Sequence, residues 1–181
     1  MDILRSERLE LRSLSAEFLE ASLAGDLQAA NRMLGVPVAP DWFQERLLMQ
    51  RRLAQLRHDP PLQPWLLRAI VLFEEQVMVG RIGFHAGPGA ADLQDFAPQG
   101  VELGYKVYPP FQRRGYATEA CAILMSWATQ MQPGIPFVVS ISPDNVPSLR
   151  IARHFGFQKV GTRFDEIDGP EDVFVRRETR T

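Results

Sequence analysis

Val101-Glu102-Leu103-Gly104-Tyr105-Lys106-Val107, Tyr108-Pro109-Pro110-Phe111 and Gln112-Arg113-Arg114-Gly115-Tyr116-Ala117-Thr118-Glu119-Ala120 follow one another without interruption. The first block has the residues of a strand. The prolines of the second end it, because proline cannot donate to a ladder. From Gly115 to Met131, Ala117, Ala120, Leu124, Trp127 and Met131 recur at the spacing of one helical face, which predicts a helix packed by that face. The junction predicts a phosphate-binding turn. A helix start presents unpaired N–H groups and the positive end of its dipole, and Gly115 and Ala117 leave room for diphosphate oxygens to approach them. Arg113 and Arg114 can add charge-assisted contacts. A glycine before a helix is more often only a turn, so the pattern alone carries little. No G-x-x-x-x-G-K-[ST] loop is present, and Gly87-Pro88-Gly89 lacks the strand and helix of a dinucleotide fingerprint.

Arg8 to Leu14 alternates like a half-buried strand, Ser15 can cap a helix to about Leu23, and Asp41 a longer one to about Arg57. Trp42, Leu47, Leu48, Leu53 and Leu56 would form the apolar side of the longer helix. Trp65 to Phe73 and Val77 to Phe84 read as a hairpin joined at Glu74-Glu75-Gln76. His85 to Gly100 is a long loop rich in Gly, Pro, Ala and Asp that can border a ligand site. Phe137 to Ser142 is a strand, and Pro147 to Phe155 is a helix closed by Gly156. Phe157 to Phe164 and Asp172 to Arg177 are strands around a turn at Asp168-Gly169-Pro170. Strands and helices mix without strict βαβ alternation, which predicts an α+β fold with a mixed sheet in one domain over residues 1–181.

The 181 residues, 45% of them hydrophobic, suffice for one ordinary core. A net charge of −2 without a basic run argues against nucleic acid as a partner. No apolar stretch reaches the roughly 20 residues of a membrane helix, and no leader pattern opens the chain, so a cytoplasmic location without membrane association is expected. The single cysteine, Cys121, reads as core filler, and His58, His85 and His154 lack metal-ligand spacing, so no metal is expected. A homodimer is compatible with the sequence but not argued by it.

Gln112-x-x-Gly115-x-Ala117 resembles the coenzyme A signature of the GNAT superfamily of N-acetyltransferases. Glu102-Leu103-Gly104-Tyr105 through Ala120, and Asn145-Val146-Pro147-Ser148 followed by Arg153-His154-Phe155-Gly156-Phe157, resemble its ribosomal-protein N-terminal acetyltransferase (RimJ/RimL-type) branch. Ser6-Glu7-Arg8-Leu9-Glu10-Leu11-Arg12 adds to that likeness, which leaves Ala24 to Pro64 unspecified. The resemblance implies a mostly antiparallel twisted sheet flanked by helices, with splayed central strands that open a slot for acetyl-coenzyme A. Tyr105, Lys106 and Val107 would pair with the pantetheine arm, and Gln112, Arg113, Arg114, Gly115, Tyr116, Ala117 and Thr118 would cradle the pyrophosphate. Asn145 would hold the pantetheine amides, and Ser148 would bind there and protonate the leaving thiolate.

Transfer to an amine needs the neutral amine. At pH 7 this costs roughly 4.6 kcal/mol for a lysine-like group of pKa about 10.4, and about 1 kcal/mol for an α-amine. The resemblance puts Glu102 beside the acetyl position, as a base acting directly or through water; a glutamate on a strand surface without chemistry is the alternative. For Asn145 the alternative is a helix cap, and for Ser148 a first-turn residue. His85 is a candidate substrate contact, against an ordinary strand-end histidine. Asp92, Asp95, Asp165, Glu166, Asp168, Glu171 and Asp172 can attract a cationic amine or be a solvated loop. The acceptor stays open between a peptide N-terminus and a small amine, and a noncatalytic acyl-coenzyme A sensor is the rival function.

Overall fold

Leu9–Ser13 forms a strand within a larger antiparallel set, but it is buried on both faces rather than half-buried, because Glu10 and Arg12 pair with each other beneath the surface. The computed structural model describes residues 3–165 and 169–177. Two compact units divide them: residues up to Gly83 with Tyr105–Trp127, and Phe84–Gly104 with the described residues from Ala128 onward.

In the first unit β1 (Ile3–Arg5), β2 (Leu9–Ser13), β3 (Arg68–Leu72) and β4 (Val77–Phe84, up to Gly83) pair antiparallel in that order. Helices α1 (Ala16–Ala24), α2 (Leu27–Leu34) and α3 (Arg46–His58) and the start of α4 (Tyr116–Met131) belong to it. Ser15 caps α1 as its sequence implies, its hydroxyl accepting from the Phe18 N–H. Leu14, Phe18, Leu19, Leu34, Trp42, Met49, Leu53 and Leu56 pack into one core with Leu66, Ala69, Val71 and Tyr108. Each fully buried large side chain contributes about 1.5–3 kcal/mol relative to exposure. The buried Trp42 indole donates to Ser22 Oγ at 3.0 Å, so its polar edge is satisfied.

Several local expectations need correction. The helix expected from Asp41 starts as a 3₁₀ turn at Pro40–Gln44 and becomes α-helical only at Arg46. Leu47 is 70% exposed and Met131 60%, so neither lies on a core face. Trp127 is half-buried, edge-on to Trp65 at 4.9 Å and beneath the Arg68 guanidinium at 5.1 Å.

In the second unit β5 (Val101–Val107) begins, and β6 (Phe137–Ile141), α5 (Val146–His154), β7 (Gln158–Asp165) and β8 (Gly169–Arg176) follow. The strand order is β5-β6-β8-β7, with β5 and β6 parallel and the other pairs antiparallel. Gly169 and Pro170 thus open β8, and Asp168 of the expected turn lies outside the described residues. The β5–β6 ladder is short: only Val101 with Phe137 and Glu102 with Val138 are in register. Leu93, Ala97, Val138, Val173 and Val175 form the core here, with Phe96 packed against them. The class is α+β with a mixed, mostly antiparallel sheet. Among the described residues, no helix is long and apolar enough to cross a membrane.

Candidate functional site

The turn expected to bind phosphate sits in the first unit between the end of β5 and α4. Pro109–Phe111 forms a 3₁₀ turn, Arg113 adopts φ 64° and Gly115 φ 83°. The first intrahelical bond of α4 runs from the Glu119 N–H to the Gly115 carbonyl at 3.0 Å. The amides of Tyr116, Ala117 and Thr118 precede that bond and are the orphan donors of a helix start. Gln112, Arg113, Arg114 and Gly115 are exposed, Tyr116 is buried, and Ala117 and Thr118 are half-buried. Gln112 Nε2 donates to the Val107 carbonyl at 2.9 Å, tying the turn to β5. Lys106 reaches Glu45 at 3.4 Å. Val107 is buried and Tyr105 half-buried.

A brace on this turn escaped the sequence reading. Arg8 donates through Nε (2.8 Å) and Nη2 (2.5 Å) to Glu119 Oε2, and through Nη1 to the Arg114 carbonyl at 3.2 Å. Its guanidinium also lies 5.0 Å from the Tyr116 ring centre. Ser6 Oγ donates to Glu119 Oε1 at 2.6 Å. Burial pushes the Glu119 carboxyl up, but the Ser6 and Arg8 bonds outweigh it and hold it below its ordinary range. The available signal was the Ser6-to-Arg12 run, whose partner lies 111 positions away.

The second unit brings Glu102 and His85 together. Glu102 is 2% exposed, and its two carboxylate oxygens accept from Arg163 Nη1 at 3.0 Å and Nη2 at 2.6 Å. Its Oε2 lies 3.4 Å from His85 Nδ1, on a side chain 43% exposed. Burial raises the carboxyl's pKa; the His85 bond, the His85 and Arg163 charges and the Ser140 hydroxyl outweigh it and lower it to about 2. Arg163 also donates to Glu171 at 3.2 Å. Glu171 itself is raised, by burial first, against the Arg163 pull. The His85 N–H donates to the Glu102 carbonyl at 2.8 Å, fixing the loop to the strand. A side chain at Gly104 would place its Cβ 2.5 Å from His85 Nε2, so glycine there makes room for the ring.

Asn145 caps α5, its Oδ1 accepting from the Ser148 N–H at 3.2 Å. The cap alternative therefore describes Asn145 and Ser148 as they stand, with the Asn145 amide nitrogen not used by that bond. Of the acidic residues considered for attracting an amine, Asp172 pairs with Lys159 at 2.6 Å and Glu171 with Arg163, while Glu166 and Asp168 lie outside the described residues. Cys121 is fully buried, and burial pushes its thiol pKa up. Among the described residues, no group of three or more His, Cys, Asp or Glu could hold a metal ion.

Residues 8–158 match the family model described as an acetyltransferase (GNAT) domain. An uncharacterized N-acetyltransferase of Bacillus subtilis (strain 168), YnaD, is 24% identical over 92 residues, 51% of this chain and 49% of that protein, so the match spans about half of YnaD. A putative GNAT-family acetyltransferase from Bordetella pertussis superposes with a TM-score of 0.67 at 21% identity, covering 97% of this chain and 99% of the other. RimL, a ribosomal L7/L12 α-N-protein acetyltransferase in complex with coenzyme A, superposes at 0.63 with 18% identity, covering 97% and 98%.

Proposed function

Because this chain belongs to the GNAT acetyltransferase domain family, we propose that residues 1–181 form one acetyl-coenzyme A-dependent N-acetyltransferase domain that acetylates a primary amine directly. The observation that carries this reading is the start of α4, where orphan amides follow a left-handed Gly115 and are braced by Arg8 and Glu119. The pyrophosphate is assigned to Gln112, Arg113, Arg114, Gly115, Tyr116, Ala117 and Thr118, whose N–H groups and dipole favour an anion. The pantetheine arm is assigned to the backbone of Tyr105, Lys106 and Val107 and to Asn145. Where negative charge develops on the thioester oxygen, an aimed backbone N–H stabilises it.

The amine loses its proton at the His85–Glu102 pair and attacks the thioester carbon. Carbon–nitrogen bond formation and carbon–sulfur cleavage then release coenzyme A, with Ser148 as the candidate proton donor to sulfur. Holding both reactants together supplies much of the acceleration. The likeness in fold to RimL, a ribosomal L7/L12 α-N-protein acetyltransferase, favours a peptide α-amine as acceptor. Such an amine also costs less to deprotonate than a lysine side chain.

The test is release of coenzyme A thiol with separate panels of N-terminal peptides, lysine peptides, aminoglycosides, polyamines and free amino acids. Amine-dependent release is expected, greatest with N-terminal peptides. Acetyl-coenzyme A binding without release in any panel would favour a sensing domain; absence of binding would overturn the coenzyme assignment.

A further inference from the structure

We propose that His85 is the group that accepts the proton of the acceptor amine, and that Glu102 is the positioning residue that orients its ring. This rests on the transferase reading above.

The two side chains differ in what they can offer a proton. Glu102 is buried, with both oxygens engaged by Arg163, so protonating it would break that pairing. Against the upward push of burial, the His85 contact, the Arg163 charge and the Ser140 hydroxyl hold its carboxyl below the ordinary range, and a carboxylate so held gains little by taking a proton near neutrality. His85 is the more accessible member of the pair, and histidine is the side chain whose charge ordinarily changes between about pH 5 and 8. Its Nδ1 turns to Glu102 Oε2 at 3.4 Å, so a proton gained by the ring is stabilised by a carboxylate that stays ionised.

His85, Glu102 and Asp92 line one shallow surface depression together with Ala86, Gly87, Ala90 and Leu93. Small and apolar walls carry two carboxylates and an imidazole. Asp92 comes from the short 3₁₀ turn Ala91–Leu93, Glu102 from β5, and Arg163 of β7 meets the group through Glu102. Arg163 offsets the charge of Glu102, and Asp92 adds a negative charge that favours arrival of the amine as an ammonium ion. Gly104, against which the imidazole rests, immediately precedes the Tyr105 to Val107 segment assigned to the coenzyme arm.

The proton count closes. The ammonium gives one proton to His85, and the neutral nitrogen attacks the thioester carbon. The carbon–nitrogen bond forms, the carbon–sulfur bond breaks, and sulfur leaves with the bonding pair. The second proton, shed by the newly bonded nitrogen, ends on the thiolate, and the imidazolium returns its proton to water. The products are the amide, coenzyme A thiol and one proton.

The experiment compares wild type, His85→Gln, His85→Ala and Glu102→Gln in kcat, KM and coenzyme A affinity from pH 6 to pH 9 (about that range suffices to span an imidazole and an α-amine). His85→Gln is expected to lower kcat about 10²-fold or more, with coenzyme A affinity changed by less than about twofold. Its rising limb of kcat with pH should be lost, and added imidazole should restore part of the His85→Ala turnover. Glu102→Gln should remain active, with kcat lowered and coenzyme A affinity unchanged, because the ring loses the carboxylate that orients it. Wild-type kcat and an unchanged pH profile in His85→Gln would overturn the assignment. So would abolition of turnover in a folded Glu102→Gln that still binds coenzyme A. If His85→Gln does not fold, imidazole rescue of His85→Ala decides, and failure of rescue counts against His85. A wild type that releases no thiol with any amine would instead defeat the transferase reading itself.

Discussion

Arg163→Met is expected to lower the stability of the folded chain by about 3–5 kcal/mol at pH 7, the effect typical of removing one partner from a buried ion pair. Glu102 is the reason. Its carboxylate is 2% exposed and accepts two hydrogen bonds from Arg163, so the variant leaves a buried charge whose remaining compensation is His85 and Ser140. The folded carboxyl has a pKa of about 2 against an ordinary 4.5, a depression worth about 3 kcal/mol. Because the folded value lies below the unfolded one, this contribution is present above about pH 4.5 and disappears as pH falls toward 2. Urea unfolding at pH 7 and pH 3 should therefore show a large gap between wild type and variant at pH 7 and a smaller one at pH 3. Equal midpoints at pH 7 would show that Glu102 does not depend on Arg163 for its ionisation.

Gly115→Trp should weaken coenzyme A binding by about 100-fold or more, which corresponds to about 2.7 kcal/mol, while leaving most of the fold intact. Two effects coincide. At φ 83° a side chain is strained, a left-handed residue other than glycine costing roughly 1–2 kcal/mol. The indole would also stand at the mouth of the amide array formed by Tyr116, Ala117 and Thr118. Gly115 is exposed, and a Cβ there would meet Arg8 Nη2 only at 3.5 Å, an ordinary contact, so the core has no reason to collapse. Isothermal titration with coenzyme A, paired with a thermal melt, separates the two consequences. Unaltered affinity in a folded variant would remove the pyrophosphate from this turn.

The elements nearest this turn were the most legible. Val77–Phe84 and Val101–Val107 match their expected bounds, and α4 begins one residue after Gly115, because strand-forming runs end there at clear breakers and the helix carries a sustained apolar face. Helix α2 was missed: Leu27–Leu34 is short, buries only Ala30 and Leu34, and is held by Asp26 at its start. Strand β1, three residues long, is too short to show a period. Spacing placed Leu47 and Met131 on apolar faces, yet an apolar residue near a helix end finds no core if the neighbouring layer stops short.

Of the candidate site, backbone features were readable and electrostatics were not. A turn at Gly115 was readable from the breaker before the helix, whereas its left-handed φ of 83° was not. Glu102 looks like any strand glutamate until Arg163, 61 positions later, is brought against it. His85 and Arg163 together hold the carboxyl as an anion, and no local pattern around Glu102 or Arg163 encodes it.

The Arg8–Glu119 brace also bears on when, during folding, the molecule becomes able to bind. Closing a loop of 111 positions adds little to the equilibrium cost, since closure entropy rises only with the logarithm of length, but non-local contacts of this kind are slow to form. A nascent α4 can wind in about a microsecond, long before Arg8 arrives. If the α4 amides bind the pyrophosphate as proposed, ligand competence is expected late on the folding path, after the secondary structure that carries them.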